Sequence, residues 1–382
     1  MEDKDVVSWY SLPVELAGMI LGFVTNGNPS LGIPLHFVCK QWHTILPPRS
    51  PIHLRSFATL LSSQGSLSLL QWAKQHGCSF PSYSCCQKAA NGGHLEVLKW
   101  LRENGSFWDE DCCRQAALGG HLEVLQYLRE NQCPWDDERT CSFAAGGGHL
   151  EVLKWLRENG CTWGVQTANR AAGAGHLEVL KWVMENGCDW ETGTCASAAL
   201  GGHLEVLKWL RENGCDWDEN CTISSNFDVV KWAWQNGCPW NDATMIFLAG
   251  SGRLDILMWL RENGCPLSSG AFNTAAEEGQ LEVLKWLKAN GCGFKDYTFA
   301  CAVKGGRLEI MEWLRENGCP FSDESCGTAF FNGNLEALKW LRENGCDWGE
   351  DCIATNNGEH LEVLYHLCNC IPSGLIESIH RW

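Results

Sequence analysis

The sequence predicts an all-α protein: a solenoid in which a short helix and a longer helix form one unit, stacked about eleven or twelve times behind a small N-terminal helical module. Three observations predict it. The stretch GHLEVLKWLRENGC occupies Gly148–Cys161 and returns unchanged at Gly202–Cys215. Looser copies place its first Leu at Leu67, Leu95, Leu122, Leu150, Leu177, Leu204, Phe227, Leu254, Leu281, Leu308, Leu335 and Leu361, at spacings of 28, 27, 28, 27, 27, 23, 27, 27, 27, 27 and 26 residues. The third observation is the width of the apolar face of each copy, which is too great for a helix resting on one core.

The chain begins with a different pattern. LPVELAGMILGFV at Leu12–Val24 sets Leu12, Leu16, Ile20, Phe23 and Val24 on one helical face, entered through a Pro in its first turn. A second short helix includes Val38 and Trp42, and the Pro-rich LPPRSP at Leu46–Pro51 closes the segment. These limits define a module over residues 8–50, followed by the repeats over 52–368. At the far end Pro372 stops the last unit, and SGLIESIHRW within 371–382 reads as a closing helix, since a stack needs capped ends.

Within a unit, the longer helix is clearest at Leu150–Glu158. On a wheel of roughly 100° per residue, Leu150, Val152, Leu153, Trp155 and Leu156 span roughly 220°, and Glu151, Lys154, Arg157 and Glu158 fill the remainder. A helix against a single core needs a stripe only somewhat wider than about 100°, so this one has neighbours on more than one side. Asn159-Gly160 supplies a left-handed stop. The shorter helix lies in WDDERTCSFAAGGGH at Trp135–His149: Asp136 and Asp137 suit an N-cap and first turn, and Gly146–Gly148 permits the reversal. The 23-residue spacing before Phe227 removes roughly one helical turn and the alanine pair, which predicts a kink or weak seam at Cys221–Asn226. A lone unit cannot bury enough surface to stay folded, so each copy serves as the wall for its predecessor.

Composition excludes several function classes. A formal charge of −17, from 46 acidic and 29 basic residues, repels phosphate backbones and anionic lipid, so no nucleic-acid or membrane partner is expected. No stretch approaches the ~18 apolar residues of a membrane span, and the N-terminus has no signal-peptide pattern, so the expected location is cytoplasmic or nuclear. The 23 cysteines then read as reduced thiols.

The same cysteines, with the recurring histidines, could be drawn as metal ligands of a hydrolase. Their pattern favours packing. Three residues before the paired alanines stand Cys86, Cys113, Cys141, Ala168, Cys195, Met245, Phe272, Phe299 and Cys326, and a ligand position does not tolerate Ala or Phe. The His after Gly (His94, His121, His149, His176, His203) gives way to Arg253, Gln280, Arg307 and Asn334, as suits a polar group capping a helix start. Trp columns such as Trp155, Trp182 and Trp209 read as packing at the seams, and the Glu–Lys pairs of LEVLK as a solvated face. No phosphate loop, nucleophile elbow or unique carboxylate pair stands out, so no catalytic residue, cofactor or metal is expected.

AA..GHLEVLKWL at Ala144–Leu156 resembles the ankyrin repeat, with Ala89-Ala90, Ala116-Ala117, Ala171-Ala172, Ala198-Ala199 and Ala275-Ala276 at the paired-alanine position. The resemblance implies an ankyrin-type helical repeat solenoid that binds proteins. The family period is 33 residues, and the residues missing here would build the projecting hairpin finger. That implies stub fingers, with recognition on the concave helical face. The variable positions before the alanine pair then become the reading positions: Lys88, Arg114 and Arg170 as charged anchors, Phe143 and Phe247 as apolar ones.

The N-terminal segment resembles an F-box, whose signature L-P-x-E-L-x-x-x-I-L, then V-C-K-x-W, is matched by Leu12, Pro13, Glu15, Leu16, Ile20, Leu21, Val38, Cys39, Lys40 and Trp42. The middle stretch TNGNPSLGIPLH is longer and richer in Gly and Pro than the family's. The resemblance implies a Skp1-type adaptor bound by Leu12, Pro13, Leu16, Ile20, Val38 and Trp42, attachment to a cullin ubiquitin ligase, and a client protein held by the repeats, with one copy of the chain in the hetero-complex. A helical cap on the first repeat is the other reading of this module, and a scaffold or decoy without a ligase the other reading of the whole.

Overall fold

The computed structural model describes residues 58–75, 80, 83–295, 297–320 and 324–346. The F-box-like module over 8–50, with its six adaptor-binding residues, lies outside the described residues, as do the copy at Leu361 and the closing segment 371–382. Among the described residues every regular element is a helix.

The helices alternate as the period predicts. Second helices, each beginning at the repeat's Leu or Phe, are α1 (Leu67–Gln75), α3 (Leu95–Glu103), α5 (Leu122–Glu130), α7 (Leu150–Glu158), α9 (Leu177–Glu185), α11 (Leu204–Glu212), α12 (Phe227–Gln235), α14 (Leu254–Glu262), α16 (Leu281–Ala289), α18 (Leu308–Glu316) and α20 (Leu335–Glu343). First helices are α2 (Tyr83–Asn91), α4 (Glu110–Gly119), α6 (Asp137–Gly146), α8 (Val165–Gly173), α10 (Thr192–Leu200), α13 (Asp242–Gly250), α15 (Ser269–Glu278), α17 (Thr298–Lys304) and α19 (Glu324–Phe331).

The described residues fall into two compact units. One comprises those up to Ala198 with Glu205–Cys215; the other comprises Ala199–Leu204 with those from Asp216 onward. Inside each, successive first helices pack closest: α2 on α4, α4 on α6 and α6 on α8 in one, α13 on α15, α15 on α17 and α17 on α19 in the other. The reason lies in the side chains. Ala144, Ala145 and Cys141 of α6, all fully buried, let backbones approach closely, whereas second helices present Leu and Trp and stand farther apart.

The start and stop chemistry follows the sequence. Asp136 caps α6 by accepting from the Arg139 amide at 3.0 Å. At the other end of the unit the Asn159 side chain donates to the Trp155 carbonyl, 2.8 Å, and Gly160 takes φ 80°, a left-handed turn that costs a residue with a side chain more. A nine-residue helix is marginal alone. Val152, Leu153 and Leu156 are buried on α7, each contributing about 1.5–3 kcal/mol of burial, while Leu150 and Trp155 lie half-buried at the edges of the arc.

One repeat departs further than its spacing predicts. Between α11 and α12 no first helix forms: residues 219–222 are turns, so a whole helix is replaced and not one helical turn. Cys221, Thr222 and Ser224 are nevertheless buried there, and the Thr222 and Thr244 hydroxyls share a hydrogen bond of 2.6 Å.

Candidate functional site

The recurring polar residue after Gly does not act as predicted. His149 sits at the N-cap position of α7, yet its ring makes no bond to that helix's amides. Its Nε2–H instead donates to the Leu118 carbonyl of α4, 3.0 Å away and 31 residues back. His94 reaches Ser63 O at 3.0 Å, His121 reaches Asn91 O at 2.9 Å and His176 reaches Gly146 O at 3.2 Å. These carbonyls end the first helix of the preceding repeat, where no amide of their own helix can serve them. These four imidazoles are therefore ties between repeats, and for them the capping role is corrected to a bridging one.

Glycine makes room for the tie. A Cβ built on Gly120, φ 76°, would stand 2.4 Å from His149 Nδ1, and one on Gly119 would meet the Asn91 carbonyl oxygen at 2.3 Å. Burial pushes the His149 imidazole below its ordinary value near 6.5; the hydrogen bond to Leu118 opposes this, and the facing His121 and His176 add to it.

The aromatic columns form the outer seam. Trp135 and Trp155 meet edge to face at 6.2 Å between ring centroids, and Trp163 and Trp182 at 5.5 Å. Onto the first ring of each pair folds an Arg of the preceding helix: Arg129 lies 4.2 Å over Trp135, and Arg157 lies 3.9 Å over Trp163 while donating to the Cys161 carbonyl at 3.0 Å. The Glu–Lys pairs are exposed ion pairs, as between Lys154 and Glu151 at 2.7 Å, each contributing only tenths of a kcal/mol.

Of the five expected reading positions, the structure brings two together. Arg170 on α8 is exposed, and its guanidinium stacks 4.3 Å over the half-buried ring of Phe143 on α6. Lys88 on α2 is exposed. Phe247 on α13 is half-buried and packs on the core beneath. Arg114 differs: it is only 6% exposed, bonds the Asp111 carboxylate through Nε at 2.6 Å, and faces Glu110 at 3.7 Å and Asp136 at 4.0 Å. Its close partners lie in its own helix, and a guanidinium so buried presents little surface to a partner.

The sequence reading also missed a structural use of the neighbouring column. Asn169 accepts from the Thr194 hydroxyl at 2.6 Å, and buried Asn273 from that of Thr298 at 2.7 Å. The Thr recurring just before the Cys/Phe column was the available signal, and it marks links between first helices.

Cys86, Cys113, Cys141, Cys195 and Cys326 are fully buried, as are Ala168, Met245, Phe272 and Phe299 at the same position, so the column is core as predicted. Burial is the first reason that the Cys188, Cys265 and Cys319 thiols are pushed up, each to about 11. Among the described residues, no group of three or more His, Cys, Asp or Glu is placed to hold a metal ion, and no helix is long and apolar enough to cross a membrane.

Residues 86–129, which span α3 and α4 with parts of their neighbours, match the family described as ankyrin repeats (many copies). The fold is an ankyrin-like helical solenoid. The helix–turn–helix geometry of that segment recurs through the other described repeats, except where the first helix before Phe227 is missing. No curated protein matches the chain. Among solved structures, the crystal structure of the human ASB11 ankyrin repeat domain is similar, at 19% identity over 49% of this chain and 97% of that one, with a TM-score of 0.35. Ankyrin repeats are protein-interaction scaffolds, and the exposed first-helix surface around Phe143 and Arg170 is the candidate site here.

Proposed function

We propose that the chain is a protein-binding adaptor that recruits a client to a Skp1-cullin-F-box ubiquitin ligase. The observation that carries the ligase half is the sequence itself: Leu12-Pro13-x-Glu15-Leu16 with Ile20-Leu21, followed by Val38-Cys39-Lys40-x-Trp42, stands directly ahead of the repeats. In this reading Leu12, Pro13, Leu16, Ile20, Val38 and Trp42 hold the adaptor, and the repeats hold the client. Tethering both in one chain raises their mutual concentration, which is the whole of the mechanism; the ligase supplies the chemistry.

The client surface centres on Phe143 and Arg170; Lys88 on α2 and Phe247 on α13 are further reading positions. A half-exposed ring beneath a guanidinium suits partner binding, since it gives contact area at small entropic cost. Arg114, buried and paired within α4, takes no part in that surface. The Asp and Glu excess favours a client with a basic face.

Co-purification tests the two halves separately. A Skp1-type adaptor should come down with the full chain and be lost on Leu12→Ala with Pro13→Ala, with client retained. Phe143→Ala with Arg170→Ala should lose client and keep adaptor. Failure of the intact chain to retain the adaptor would leave a scaffold without a ligase.

A further inference from the structure

Two cysteine columns cross the repeats. One lies three residues before the alanine pair on the first helix, the other follows the Gly that ends the second helix. Within a repeat they are 20 residues apart, and the fold brings them together: Cys141 Sγ lies 3.1 Å from Cys161 Sγ, and Cys326 Sγ lies 2.6 Å from Cys346 Sγ. Cys113 and Cys133 stand at the same two positions of their repeat. All six side chains are buried. Other repeats break the pattern on one side only, with Ala168, Met245, Phe272 and Phe299 standing 20 residues before Cys188, Cys265, Cys292 and Cys319. A fourth repeat carries Cys195 and Cys215, where Cys195 Sγ points to the Cys215 carbonyl at 3.9 Å.

We propose that Cys141–Cys161, Cys326–Cys346 and Cys113–Cys133 are latent disulfide sites, each able to staple the first helix of its repeat to the end of the second. A disulfide needs its sulfurs at about 2.05 Å, so joining Cys141 to Cys161 moves the two sulfurs together by about 1 Å, within the reach of side-chain rotation. The oxidant is a small disulfide of the glutathione type. One protein thiolate attacks a sulfur of that disulfide, forming a mixed disulfide and releasing one small thiol. The partner cysteine, giving up its proton to solvent, attacks the protein sulfur of the mixed disulfide, so the S–S bond forms between the two cysteines and the second small thiol leaves. Two protein thiols are oxidised and one small disulfide is reduced to two thiols.

Burial governs the rate. The Cys141 thiol is held well above the usual range, first by its bond to Cys161 and then by burial, so almost none is thiolate near neutrality. The reaction therefore proceeds as a repeat opens, over hours. Once made, each staple closes a short loop and restricts the unfolded chain, so the oxidised protein outlasts the reduced one on heating.

The test uses the full chain incubated under native conditions with oxidised glutathione, then alkylated and mapped by mass spectrometry without reduction. Expected are three cross-linked peptide pairs, each two hydrogens lighter than its thiol form, with Cys188, Cys265, Cys292 and Cys319 alkylated. The oxidised sample should also show a higher Tm, reversed by dithiothreitol. In a Cys141→Ser chain, Cys161 should become alkylated and the other two links persist. A map in which these six cysteines are alkylated, or joined to other cysteines as often as to each other, overturns the proposal.

Discussion

The two compact units make the same tie with different chemistry. In the first, imidazoles bridge to the preceding first helix: His94, His121, His149 and His176. In the second, Asn226 donates to Gly202 O at 2.9 Å, Arg253 to Ser225 O, Arg307 to Glu277 O at 3.2 Å, and Asn334 to Val303 O at 2.8 Å and Lys304 O at 2.9 Å. Imidazole, guanidinium and carboxamide share an N–H on a side chain long enough to reach a backbone carbonyl of the preceding repeat. The position thus selects for a donor with reach and is indifferent to charge.

The largest expected effect tests whether the two units are otherwise equivalent. Leu153 and Leu257 hold the same place on α7 and α14, and both are fully buried. Leu153→Ala and Leu257→Ala should each cost about 2–5 kcal/mol, as cavities in packed cores do. Urea unfolding followed by hydrogen exchange would measure both. A cost below about 1 kcal/mol at either site would mean that its repeat relaxes around the cavity and that the shared spacing conceals unequal packing.

Next in size is the tie itself. His149→Ala leaves the half-buried Leu118 carbonyl without this donor, at a cost of about 1–3 kcal/mol. Asn334→Ala should cost a similar amount, although the residue removed is smaller. His149→Asn should recover much of the loss, because the second unit already uses Asn for this contact. If His149→Asn is as damaging as His149→Ala, ring packing over Gly120 matters more than the hydrogen bond.

The helix boundaries were legible because period, Asp caps and Asn-Gly stops act over a few residues. The histidines were misread for the opposite reason: their partner lies about one repeat back, and only the stacking register brings it near. Arg114 looked like a surface charge since nothing in its own helix revealed Asp136 of the next repeat closing over it. At the short repeat, the missing residues were counted correctly but their consequence was underestimated. The residues lost there include the alanine pair, and 219–222 form turns where other repeats have a first helix. The first-helix cysteine column was recognised as core, yet its 20-residue pairing with the cysteines after Gly was invisible until both helices were placed. The F-box-like stretch remains an inference from Leu12, Pro13 and the V-C-K-x-W run alone.

The smallest effect separates the two kinds of tie by pH. His149 binds a proton less readily in the folded chain than when unfolded, because protonation would put a charge into a half-buried site facing His121 and His176. Its Nε2–H can donate to Leu118 in either protonation state, so the penalty is electrostatic and the bond itself survives. Below its ordinary value near 6.5 the unfolded state takes up the proton first, and stability falls as pH drops through the window between that value and the lower folded one. Stability from this group is whole above that window. Urea midpoints measured from pH 7.5 to 5.5 should therefore drop, and His149→Asn should flatten part of the drop while leaving the pH 7.5 midpoint nearly in place. A drop that His149→Asn does not change would assign the sensitivity to other groups and leave the imidazole tie electrically silent, equivalent to its Asn counterpart at Asn334.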